Sequence, residues 1–297
     1  MPEFRKTVFD WFELHGITTR EELRSLVKEC IVTPPIGNMS ILEGFFAEYK
    51  KELKGIVPIV ESKKVVCIND VHVPFQNNKM IENFVRLIEE EQPDEIILNG
   101  DMVDFYDLSS FDKDPAREES LQDELDTLYR MLLVFRGACP NAKITYVEGN
   151  HEDRLRRYLW KKATALQSLR SLKLETLLKL DELGIELVKK YVVNGFTFAH
   201  GKIVRQYSSY SAKAEYDARG CSGMSGHTHR MGSFCKTTSL GTFGWWENGC
   251  GCDLTPEYVD EPNWQNGFSV IYFDDNAFDV HQVYVNKGSF RFNGKRY

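Results

Sequence analysis

From Lys64 onward the chain alternates short, unbroken apolar runs with charged amphipathic stretches, a texture that restricts it to folds with a buried sheet under helices. Lys64–Asn69, Glu95–Leu98 and Lys143–Val147 are too short for buried helices and lack an alternating pattern, as expected of strands covered on both faces. Residues 78–91 and 118–137 are expected to be the crossover helices, and a long charged helical stretch is expected over 151–182. Strand-like segments then dominate: Phe196–Ala199, Phe268–Phe273 and Asp279–Val285. Early βαβ units followed by a β-rich half predict an α/β (α+β-like) sandwich of two facing mixed sheets flanked by helices, occupying residues 56–297.

Residues 1–55 read differently, as a small helical appendage. Thr19-Arg-Glu-Glu22 and Ser40-Ile-Leu-Glu43 both match the box that starts a helix, with apolar residues following at helical spacing. Pro34, Pro35 and Gly37 separate the helices, and the Cys30–Asn38 connection is longer than the turn of a DNA-reading helix pair. A packing or oligomerisation role is the expectation for this segment.

Bulk properties exclude several classes. No apolar run reaches the length of a membrane span, and Glu3, Arg5, Lys6, Asp10 and Glu13 interrupt the N-terminus where a secretory signal would be apolar, so a cytoplasmic protein without membrane partners is expected. The seven cysteines are scattered, apart from Cys250-Gly-Cys252, and free thiols are expected. A net charge of −7 argues against a broad basic surface for duplex binding, while leaving room for a local basic groove.

Chemistry concentrates in five motifs that each follow an apolar run: Asp70-Val-His72, Gly100-Asp101-Met-Val-Asp104, Gly149-Asn150-His151-Glu152, Ala199-His200-Gly201 and Gly226-His227-Thr-His229. Five of the seven histidines lie in them. Residues just past strand ends gather at one sheet edge, where α/β folds place their sites. Carboxylates, imidazoles and an amide in such a cluster are the ligand types for a pair of divalent cations.

In that order the motifs resemble the signature of the calcineurin-like metallophosphoesterases. Asp107–Pro115 and Asn263–Phe268 further resemble phosphoesterases of phage and bacterial genomes. The resemblance implies the metallophosphoesterase fold and two divalent transition-metal ions, with Mn²⁺ the first choice and Fe, Zn²⁺ or Ni²⁺ compatible. Carried over motif by motif, it implies one ion held by Asp70, His72, Asp101 and His229 and another by Asp101, Asn150, His200 and His227, with a bridging hydroxide attacking a phosphate ester. His151 is then expected to be the general acid, with Asp104 holding its ring.

Arg154 lies one helical turn beyond His151, and Lys202 and Arg230 directly follow motif residues, so these three are the expected phosphate contacts. With Arg156, Arg157, Lys161 and Lys162 nearby, a phosphodiesterase or nuclease acting on nucleic acid or nucleotide is the first expectation. A phosphomonoesterase acting on phosphoprotein or a small phosphate comes second. A non-catalytic nucleic-acid-binding regulatory module comes last, since no ligand is missing.

Overall fold

The computed structural model describes residues 2–28, 34–55, 62–110, 120–255, 262–274 and 277–297. Cys30 with the start of its connection, the expected domain boundary at 55/56, residues 111–115 of the phage-like stretch and the first two residues of the 118–137 helix lie outside the described residues. Two compact units divide the chain, Met1–Glu61 and Ser62–Tyr297.

The first unit contains α1 (Pro2–Leu14), α2 (Arg20–Lys28) and α3 (Met39–Gly55) around Phe12, Leu23, Leu42 and Phe46. The box at Thr19 forms as expected: Glu22 N–H donates to Thr19 Oγ1 (3.1 Å) and Thr19 N–H to Glu22 Oε2 (2.9 Å). The box at Ser40 does not form. Asn38 caps α3 instead, its Oδ1 accepting from Ser40 N–H at 3.0 Å, and Glu43 pairs with Arg24 (2.6 Å) across the unit. An asparagine at the cap outranks a serine already inside the first turn.

In the second unit, β1 (Lys63–Ile68), β2 (Glu95–Leu98), β3 (Lys143–Val147) and β4 (Ile185–Val188) run parallel, with β10 (Gly267–Phe273) antiparallel to β1 and β11 (Phe278–Tyr284) beyond it. The facing sheet is ordered β5 (Tyr191–Val193), β6 (Phe196–Phe198), β7 (Gly223–Ser225), β9 (Gly241–Glu247), β8 (Gly232–Thr238). Val65, Cys67, Ile97, Val147 and Ile271 from the first sheet meet Phe196, Phe198 and Met224 from the second in a dry layer. Each large side chain buried there contributes about 1.5–3 kcal/mol relative to exposure.

On the outer face of the first sheet pack α4 (Asn78–Glu91) and α5 (Leu121–Ala138), burying Phe84, Leu87, Leu128 and Phe135. Against the second sheet lies α8 (Tyr210–Arg219), through Ala212 and Tyr216 on Trp245. The order is therefore helix, sheet, sheet, helix.

The expected long helix over 151–182 is broken. It becomes α6 (Glu152–Lys162), 3₁₀ turns at Thr164–Leu166 and Arg170–Leu172, and α7 (Leu174–Leu177). Ala163 leaves helical geometry, and the Thr164 hydroxyl donates to the Trp160 carbonyl at 2.9 Å, satisfying an acceptor that the next helical turn would have taken. A charged run carries little periodicity to reveal such a stop.

Candidate metal centre

Each motif leaves its strand at one edge of the sandwich. Asp70 and His72 follow β1, Asp101 and Asp104 follow β2, Asn150 and His151 follow β3, His200 follows β6, and His227 and His229 follow β7. The turns are tight enough to force five of these residues into left-handed backbone conformations: Asp70 (φ 50°), His72 (49°), Asp101 (51°), His227 (70°) and His229 (57°). Conformations of this kind cost about 1–3 kcal/mol each and persist where the surroundings over-determine them.

Two motif glycines are required by close approach. A Cβ on Gly149 would strike the carboxylate of Asp101, and one on Gly226 would strike the carboxylate of Asp70. The motifs also hold one another: His151 N–H donates to Asp101 Oδ1 (2.9 Å), and His227 N–H donates to Asp70 Oδ2 (2.9 Å). Glu152 is buried and accepts from the backbone N–H groups of Asp101 (2.9 Å), Met102 (2.8 Å) and Gly149 (2.8 Å) and from the Tyr146 hydroxyl (2.7 Å), so its role is structural.

Two groups of ligand atoms, Asp70 with His72 and His229 and Asp101 with His200 and His227, are overlapped by two more, His72 with Asp101 and His151 and His229 with Cys250 and Cys252. His229 Nε2 lies 3.2 Å from Asp70 Oδ1 and 3.0 Å from His72 Nε2, while His72 Nε2 is 3.9 Å from Asp101 Oδ2. His200 Nε2 lies 3.0 Å from Asp101 Oδ2 and 3.2 Å from Asn150 Oδ1. The remote nitrogens of two rings are committed to acceptors, His200 Nδ1 to the Asn99 carbonyl (3.0 Å) and His72 Nδ1 to the Asp104 carboxylate (3.0 Å). Lone pairs therefore crowd both groups, and such an arrangement requires a cation, either a proton or a metal ion. With bonds of about 2.0–2.2 Å to imidazole or carboxylate, the edges of a coordination polyhedron are of the observed size. In chemistry and spacing the residues fit ligands to divalent cations.

Electrostatics agree with this geometry. Burial pushes the Asp101 carboxyl up, but the charges of His200 and His151 overcome it and hold it well below its usual range. Against burial, the same carboxylate and that of Asp70 raise His200 to about 10. Burial lowers His227 and His229.

The remaining expected site residues separate. His151 joins the centre, with Nε2 3.8 Å from Asp101 Oδ2. Asp104 does not serve His151 alone: its carboxylate is nearer to His72 Nδ1 (3.0 Å) than to His151 Nδ1 (3.5 Å), and His151 Nδ1 donates to the Asp104 backbone carbonyl at 2.8 Å. Arg154, expected as a phosphate contact, donates to the Asp104 carbonyl (2.9 Å), to Asp104 Oδ1 (3.3 Å) and to His151 Nε2 (2.9 Å). A guanidinium only donates and a carbonyl only accepts, so these bonds place the hydrogen of His151 on Nδ1.

Lys202 is exposed on the loop after His200. Arg230 is buried, with its guanidinium turned to the carbonyls of Gln206 (3.0 Å) and Arg205 (2.7 Å).

Two residues outside the five motifs sit against His229. Cys252 Sγ lies 3.7 Å from His229 Nδ1, and the Trp264 ring packs on the imidazole with centroids 4.2 Å apart. The six described cysteines are free, as expected. Among the described residues no helix is long and apolar enough to cross a membrane.

Residues 63–217 match the family described as calcineurin-like phosphoesterase. The chain belongs to that family. Among relatives of this phosphoesterase, the Gene 54 protein of Mycobacterium phage D29 is 28% identical over 249 residues, covering 78% of this chain and 98% of the relative. The Gene 54 protein of Mycobacterium phage L5 is 27% identical over 252 residues, covering 79% and 98%. Solved structures similar to it include a dimetal phosphatase from Danio rerio (TM-score 0.42, 12% identity, 75% of this chain and 96% of that one). A single mutant of Vps29 from Entamoeba histolytica has TM-score 0.42 and 13% identity, covering 79% of this chain and 98% of that one.

Proposed function

We propose that this phosphoesterase is a two-metal phosphodiesterase acting on nucleic acid or nucleotide, with Asp70, His72, Asp101 and His229 holding one ion and Asp101, Asn150, His200 and His227 the other. The observation that carries the reading is the position of Asp101, whose carboxylate lies within reach of both histidine groups. When bound, two such ions supply a nucleophile at neutral pH and neutralise charge on the phosphoryl oxygens.

The chain's own residues do the rest. Asp104 fixes His72 through Nδ1 and so aims Nε2 at the centre. Arg154 is the guanidinium placed to meet a phosphoryl oxygen, and an anionic phosphate is a better partner for it than the neutral lone pair of His151. As Arg154 turns to substrate, His151 Nε2 becomes free to take up a proton from solvent and pass it to the leaving oxygen, while Nδ1–H stays on the Asp104 carbonyl. A diester carries a single negative charge, which suits a centre with one arginine at its rim. Near it, α6 continues with Arg156 and Arg157 and with the exposed side chains of Tyr158 and Trp160.

A metal-by-substrate screen tests this. Chelated protein is expected to turn over nothing and to recover with Mn²⁺, Fe, Zn²⁺ or Ni²⁺, Mn²⁺ giving the highest rate. With that metal, kcat/KM for bis-p-nitrophenyl phosphate is expected to exceed that for p-nitrophenyl phosphate by about tenfold or more, a difference of ~1.4 kcal/mol. Turnover with metal content verified as nil would overturn the two-metal reading, and a preference for the monoester would overturn the diesterase reading.

The helical unit is proposed to stand apart from hydrolysis, since every ligand lies in Ser62–Tyr297. Removal of residues 1–61 is expected to leave bis-p-nitrophenyl phosphate turnover within about twofold, as a separable domain should. A folded truncation that cannot hydrolyse this small ester would show that the unit completes the site.

A further inference from the structure

The segment between His200 and α8 has no regular structure, yet buried polar side chains fix its backbone along its length. Glu215 Oε1 accepts from the N–H groups of Lys202 (2.9 Å) and Ile203 (3.1 Å), and Ser211 Oγ accepts from Arg205 N–H (2.9 Å). Arg230 donates to the carbonyls of Arg205 and Gln206, and Glu247 accepts from Ser209 N–H. All four of these side chains are at least nine-tenths buried. Burying charged groups is costly unless they are fully engaged, and a loop that merely connects two elements is ordinarily left to water.

What this scaffold presents outward is unusual for a soluble surface. Val204, Tyr207 and Tyr210 are 55%, 54% and 60% exposed, and the two tyrosine rings meet edge to face with centroids 5.6 Å apart. Lys202 and Arg205 are exposed on the same loop, and among the described residues neither is in an ion pair. The loop is tied to the proposed metal centre through the sequence: it starts at His200, and Arg230, which holds its middle, directly follows His229. The loop is thus a rigid ledge of aromatic rings and positive charge beside the proposed phosphoester centre.

Resting on the proposed diesterase reading, we infer that this ledge binds a single-stranded nucleic acid, with bases stacking on Tyr207 and Tyr210 and backbone phosphates meeting Lys202 and Arg205. Aromatic faces reward unpaired bases, whose faces are open, and not a duplex, whose bases already stack on each other. Duplex affinity rests on many cations displacing counterions, and a chain of net charge −7 with two cations on this loop is poorly equipped for it. Arg230 acts here as a positioning residue: both its terminal nitrogens donate to the loop, while its buried Nε has no partner among the described residues.

The test uses the metal-loaded full chain with a single-stranded oligonucleotide, the same sequence as a duplex, and bis-p-nitrophenyl phosphate. Wild type is expected to bind and cleave the single strand in preference to the duplex. Tyr207→Ala combined with Tyr210→Ala should raise KM for the single strand by at least the roughly 5- to 150-fold effect of losing a single stacked base, and leave bis-p-nitrophenyl phosphate turnover unchanged. Tyr207→Phe with Tyr210→Phe should restore the wild-type KM, because the ring face and not the hydroxyl is used. Lys202→Ala with Arg205→Ala should lessen the salt dependence of binding.

If wild type cleaves single strands and the alanine pair does so with unchanged KM, the ledge is not the binding surface. Preference for the duplex overturns the inference as well. Wild type that neither binds nor cleaves the oligonucleotide, but sediments as a dimer that the alanine pair dissociates, would assign the ledge to a second copy of this chain. Wild type active on bis-p-nitrophenyl phosphate alone would count against the nucleic-acid reading, and wild type inactive on every ester would count against the diesterase itself.

Discussion

Asp101→Asn is expected to lose bound metal and turnover together, with activity falling on the order of 10³-fold or more, as several kcal/mol of charge stabilisation disappear. The carboxylate stands between two groups of imidazoles, and one neutral amide cannot balance two divalent charges. The local hydrogen bonds make the change worse. His151 N–H donates to Asp101 Oδ1 at 2.9 Å, so an asparagine must keep its oxygen there and direct its NH₂ toward His200 and the lone pairs of the centre. Metal analysis of the purified variant beside wild type, with rates on bis-p-nitrophenyl phosphate, decides the matter. Retention of both ions would remove Asp101 from the bridging position.

His151→Ala should separate metal binding from chemistry. The side chain belongs to neither proposed ligand set, so both ions should remain and the protein should fold normally, while turnover falls on the order of 10²–10⁴-fold, the usual range for removal of a general acid. The loss should be smaller for p-nitrophenolate, which leaves without protonation, than for an alkoxide such as a ribose hydroxyl. That difference also separates proton transfer from loss of Arg154 positioning, since a displaced arginine would slow both leaving groups alike. A metal-free variant would make His151 a ligand, and a fully active one would give it no part in the reaction.

The sheet-forming runs and the five motifs were legible because each is a local pattern. An apolar run is its own signal for a buried strand, and the residues just beyond parallel strands gather at one edge whatever lies between them. Features decided by distant contacts were not legible. Arg230 looked like a phosphate contact from its place after His229, but its partners Arg205 and Gln206 lie more than twenty residues earlier, and nothing nearby in sequence announces them. Cys252 reaches His229 through the path of the chain after β9. The Asp104 carboxylate lies 3.5 Å from His151 Nδ1, but its closer pairing with His72 depends on how the β1 and β2 loops cross, as in the bond from His72 N–H to the Asp101 carbonyl (3.0 Å). The helix stop after Lys162 was missed because one threonine hydroxyl decides it.

The left-handed backbone at Asp70, His72, Asp101, His227 and His229 sets stability against function. Glycine would adopt each of these conformations without penalty, whereas aspartate and histidine tolerate them at a cost and bring the side chains that the proposed metal centre uses. On the proposed reading, selection for hydrolysis therefore opposes selection for a relaxed fold at the same five codons. A descendant released from that chemistry would gain by drifting toward glycine at these turns, becoming sturdier as it fell silent. In a diverged copy, the identity of the residue at these positions is then a record of whether its chemistry is still under selection.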